Sequence, residues 1–104
     1  MLGYNVSMTK MVSLITEMYE KNAKEFADFQ VVHDAFMRDR KAHQETFNTQ
    51  GKAVVEIIRF YETQLCGKQE RSGMGVYSSK LAEKYWAEIK KKLPMIDFVG
   101  VKFS

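Results

Sequence analysis

One proline in 104 residues, Pro94, leaves the first 93 positions free of the residue that most reliably breaks a helix. One cysteine, Cys66, excludes an internal disulfide and fits a reducing compartment. Only two histidines are present, His33 and His43, and no Glu-x-x-His occurs, so the paired carboxylate–histidine metal sites of helical bundles are not expected. No apolar run approaches the ~20 residues needed to span a bilayer. The opening MLGYNVSMTK has no basic region followed by an apolar stretch, so no secretory signal is expected and a cytoplasmic protein is. Phosphate loops are lacking too. Neither Gly51-Lys52 nor Gly67-Lys68 is followed by Ser or Thr, and Gly73-Met74-Gly75 lacks a third glycine, so no cofactor is expected.

Hydrophobic residues make up 45% and charged residues 28%, the balance of one small globular domain rather than a disordered chain. The apolar residues recur at helical spacing. Met8, Met11, Ile15, Met18, Phe26, Phe29, Val32 and Phe36 form a stripe that predicts a first helix over about 6–45. Glu17 to Lys21 and Glu20 to Lys24 are favourable i, i+4 pairs on its polar side. Asn48, Thr49 and Gly51 suggest a turn and cap before a second helix over about 50–66, with Val54, Ile57, Ile58, Tyr61 and Leu65 inward. One unbroken coiled-coil rod through this region is the alternative. Gly67 stands where a helix C-cap glycine belongs.

Three glycines and three charges in 67–78 predict a loop. A third helix over about 79–93 follows, with Leu81, Tyr85, Trp86, Ile89 and Leu93 on one side and Pro94 as its stop. In the tail, 95–104, Ile96, Phe98, Val99, Val101 and Phe103 alternate like a strand; without a partner strand it must lie in a helical groove or pair outside the chain. The fold class expected is all-α: a long antiparallel helical hairpin, a third shorter helix completing a three-helix bundle, and an extended C-terminal tail.

Charge is segregated, with 8 basic and 9 acidic residues in 1–66 but 8 basic and 4 acidic in 67–104. Lys80, Lys84, Lys90, Lys91 and Lys92, interleaved with Tyr85 and Trp86, are candidate nucleic-acid contacts, since lysines meet phosphates and aromatic rings stack on bases. Arg38-Asp39-Arg40-Lys41-Ala42-His43 has the Arg-x4-His spacing that resembles the motif of helical HEPN-type ribonucleases. That six-residue resemblance implies metal-independent RNA cleavage, with His43 moving the 2′-hydroxyl proton and Arg38 holding a phosphate.

A second helix of about 16 residues spans ~24 Å against ~60 Å for the first. The apolar stripe is therefore expected to outrun its cover, and exposed stripes of that size mark interfaces. The leading functional expectation is a non-catalytic scaffolding protein, a homodimer or the subunit of an obligate protein partner. Its interface would comprise Met8, Met11, Ile15, Met18, Phe26, Phe29 and Phe36.

Overall fold

The computed structural model describes residues 6–66 and 79–101, with side chains over 10–65 and 80–101. The loop expected at 67–78, the tail end at 102–104 and the side chains of Met8 and Cys66 lie outside the described residues. Four helices and a single 3-10 turn make up the described chain: α1 Val6–Lys21, α2 Ala23–Arg38, α3 Arg40–Cys66, α4 Ser79–Lys92 and the turn Ile96–Phe98. The protein is all-helical, with no strand among the described residues.

The helix expected over 6–45 is divided twice. At Asn22 (φ −121°, ψ 34°) the backbone leaves helical geometry for one residue. The Asn22 N–H still donates to the Met18 carbonyl at 3.1 Å, and its side-chain Nδ2 donates to the same oxygen at 3.0 Å. A side chain that competes for an i−4 carbonyl kinks a helix without ending it. Asp39 does end one. Its backbone is extended (φ −150°, ψ 96°), its N–H donates back to Ala35 O, and its carboxylate accepts the Ala42 N–H at 3.2 Å. The residue thus closes α2 and caps α3 at once.

The turn expected near 46–51 does not occur, because α3 runs helical through Asn48, Thr49 and Gly51. Its contacts with the first arm follow antiparallel order. Phe36 stacks on Phe47 at 3.9 Å, Phe29 meets Phe47 at 5.4 Å, and Tyr61 Oη donates toward Glu17 at 3.5 Å. At 27 residues, α3 is ~40 Å long, which accounts for most of the 46 Å long axis.

α4 returns along both arms. Tyr85, fully buried, donates to the Ile58 carbonyl at 2.6 Å and lies 3.6 Å from Met18 Sδ. Trp86 Nε1 donates to Glu62 at 3.0 Å, and Gln30 Nε2 reaches the Lys92 carbonyl at 3.2 Å. Beyond Pro94 the strand-like tail is corrected to a 3-10 turn. Its hydrogen bonds are local: Ile96 N to Leu93 O, Phe98 N to Met95 O and Val99 N to Ile96 O. Ile96 is buried, and Val99 sits against Gly51, where a Cβ would fall 2.6 Å from Val99 Cγ2. Asn48 then clamps the chain by accepting the Gly100 N–H at 2.8 Å and donating to Val101 O at 3.3 Å. Gly100 takes φ +88°, a conformation glycine adopts without strain.

These elements cover the N-terminal stripe. Met11, Met18, Phe26, Phe29 and Phe36 are 7% exposed or less, and Ile15 packs on the same core half-buried. The exposed interface expected there is corrected: the longer α3, α4 and the tail use that surface inside the chain.

Candidate functional site

Polar chemistry inside the fold centres on His33. It lies on the inward face of α2, four residues after Phe29 and three before Phe36, and is fully buried. Nε2 accepts the Met95 N–H at 3.0 Å, while Nδ1 meets Asp34 Oδ1 at 3.0 Å. With Nε2 accepting from the backbone, the ring proton sits on Nδ1 and donates to the carboxylate. The hydrogen bond from His33, then that from Gln30, holds the Asp34 carboxyl below its ordinary value. An Asp–His pair of this kind orients a general base when Nε2 faces a substrate. Here Nε2 faces a peptide N–H, so the pair fastens the turn after α4 to α2.

Arg38 and His43 are not on one helix. The first ends α2 exposed, and the second lies one turn into α3, half-buried, beyond the Asp39 break. The five lysines of α4 divide. Lys80, Lys84 and Lys91 share one exposed face by their spacing, with Lys91 held by Glu88 at 2.8 Å. Lys90 pairs with Asp97, and the Lys92 ammonium stands 4.7 Å over the Tyr19 ring. Tyr85 is fully buried and has no ring face to offer, while Trp86 is half-buried with its indole N–H taken by Glu62.

A different surface remains, one that hydrophobic periodicity does not single out. Phe60 is 59% exposed on α3, its ring propped edge-on by Tyr61 at 5.4 Å and 87°. Ala53 and Ile57 precede it by seven and three residues, in line along the helix. With Tyr61, Asn22, Glu25 and Glu56 they line a groove of about 520 Å³ between α3 and the kink of the first arm. Glu25 stands on α2 and Glu56 on α3, one acidic group on each wall, and no lining residue is basic. Of the neighbouring cations, Lys21 pairs with Glu17 at 3.4 Å and Lys24 with Asp28 at 2.9 Å, Lys24 also attracting Glu25, while Lys52 stands exposed four residues before Glu56 on α3. Among the described residues neither Glu25 nor Glu56 takes part in an ion pair. The signal for this groove is the 53, 57, 60 spacing. It is obscured because Ile57 suits the inward stripe of Val54, Ile58 and Tyr61 equally well, and Phe60 falls off that stripe.

Among the described residues no group of three His, Cys, Asp or Glu is placed to hold a metal ion, and no helix is long and apolar enough to cross a membrane. No family model matches the chain, and no curated protein or solved structure matches it.

Proposed function

We propose that this chain is a non-catalytic helical interaction protein: a kinked antiparallel hairpin, α1 and α2 against α3, completed as a three-helix bundle by α4. It docks a protein partner in the groove around Phe60. The observation that carries the reading is a large aromatic ring exposed at the surface, edge-on to Tyr61 and in line with Ala53 and Ile57. Exposed aromatic side chains beside an apolar groove are typical anchors of protein interfaces. Self-association through the N-terminal stripe is set aside, because those residues form the core. A cytoplasmic setting is supported by the single cysteine.

The test is a photoreactive benzophenone side chain placed at Phe60, with a control at Val31, which is 70% exposed on α2. In the native host the position-60 protein is expected to give a discrete cross-linked species that the position-31 protein does not. Equal cross-linking at both positions, or none at 60, would overturn the reading. The nucleic-acid reading retains Lys80 and Lys84 as exposed cations. A mobility shift with mixed RNA and DNA at low salt that K80E/K84E abolishes would favour it instead.

A further inference from the structure

Resting on the reading of the Phe60 groove as a docking surface, we infer the chemistry of its occupant: an amphipathic helix of another protein, with lysine or arginine on both sides of its apolar stripe. Shape gives the helix. The groove runs between two antiparallel helical arms, and a further helix laid along such a pair extends the bundle by ordinary helix packing. Its floor, from Ala53 to Phe60, covers two turns of α3, or ~10.5 Å. An occupant anchored by apolar residues at i, i+3 or i+4, and i+7 matches that length. Ala53 is small enough to let one end of the helix approach closely, while Phe60 meets the other.

Charge gives the sign. Glu25 and Glu56 stand on opposite walls, with Lys24 beside Glu25 turned to Asp28 at 2.9 Å, and no residue lining the groove between the two glutamates is basic. A helix lying between them has a carboxylate beside each flank of its stripe, the arrangement by which flanking charges select partners in coiled coils. The same two glutamates disfavour other occupants. A second copy docking groove to groove would bring like charges together. A second copy's α4 offers lysines but no apolar face, since its Tyr85, Ile89 and Leu93 are buried in its own chain. Nucleic acid and anionic membrane meet repulsion at the groove.

The experiment titrates the full chain, isotope-labelled for amide NMR, with a synthetic helical peptide of about 16 residues. The peptide carries leucines at the i, i+3, i+4, i+7 spacing and lysines on both flanks. Two companions replace the lysines by glutamine or by glutamate. The expected result is shift changes confined to the amides of 22–25 and 53–61. Affinity should fall about tenfold or more for F60A and for E25Q/E56Q, and from the lysine to the glutamate peptide. If the glutamine peptide binds as tightly and still depends on Phe60, the inference about charge is overturned and the docking groove stands. Failure of all three peptides to bind, or binding that F60A leaves unchanged, overturns both. An RNA oligonucleotide shifting the same amides in place of the lysine peptide would also overturn the inference. Phe60 is largely exposed and the glutamine replacements keep side-chain size, so both variants are expected to fold.

Discussion

Gly51 sits buried in the middle of α3, where general propensity and local packing give opposite predictions for alanine. Gly-to-Ala in a helix interior contributes roughly 0.5–1 kcal/mol of stability when nothing is in the way. Here the added methyl falls 2.6 Å from Val99 Cγ2, 3.0 Å from Val99 Cγ1 and 3.2 Å from Phe29 Cε1. Neither neighbour yields cheaply. Phe29 is fully buried, and Val99 has a stiff β-branched side chain on a backbone held by Ile96 O and by the Asn48 clamp just beyond. The least costly relaxation lifts 99–101 away from α3. That forfeits two Asn48 hydrogen bonds, about 1 kcal/mol each, and roughly 1 kcal/mol of half-buried valine surface. Set against the propensity gain, G51A is expected to destabilise the fold by about 2 kcal/mol, a fall in Tm on the order of 10 °C for a chain of this size. Calorimetry gives the magnitude, and amide exchange at Gly100 shows where the structure yields. V99A removes the two obstructing methyls but leaves Phe29 Cε1 at 3.2 Å, so the cost of G51A should be clearly smaller in the V99A background than in the wild type. G51A that melts at or above the wild type, with Gly100 exchange unchanged, would refute the reasoning.

His33→Ala leaves the Met95 N–H without an acceptor and opens a cavity at a fully buried position. A loss of about 3 kcal/mol is expected in urea unfolding, and part of it should return in H33Q, which keeps an acceptor. Tyr19 Oη is buried without a hydrogen-bond partner, so Y19F is expected to raise stability by up to about 1 kcal/mol in the same assay. Burial also raises the Tyr19 pKa above its ordinary 10.0, so the folded state holds the phenol proton more tightly than the unfolded state. That contribution is lost as pH climbs beyond 10.0, and Y19F should flatten the alkaline limb of the stability curve. Asp34 has the opposite sign: its lowered carboxyl pKa contributes stability above the ordinary value of 3.8 that is lost as pH falls below it. D34N should therefore lose stability at neutral pH and show a shallower acid limb.

Where hydrophobic periodicity or a single strong breaker decides a boundary, the sequence is readable. Pro94 marks the end of α4 to within two residues of Lys92, while the Gly67 cap lies outside the described residues. The Asp39 break is harder, because Arg38 to Lys41 carries no apolar residue to lose register. Its only local mark is an aspartate placed to cap α3. Asn48 and Gly51 point the wrong way for a physical reason. Residues that build turns also build notches, and here the missing Gly51 side chain admits Val99 and Phe29 while the Asn48 amide holds the tail backbone. The tail contacts are set by residues some fifty positions away, which no local window contains. A turn placed there shortens α3 from 27 residues to about 16 and leaves the N-terminal stripe without its cover. His33 has the spacing of a core residue, four after Phe29 and three before Phe36, but buried histidine is uncommon enough that spacing alone does not place it.

The account turns on which apolar residues the monomer keeps for itself and which it leaves outside. Hydroxyl-radical footprinting of dilute protein measures this residue by residue. Rapid oxidation is predicted at Phe60 and at Met37, which is 50% exposed, with slow oxidation at Met11, Met18, Phe29 and Phe36. Oxidation of Met11 and Met18 as fast as Met37, or protection of Phe60 in the isolated chain, would contradict it.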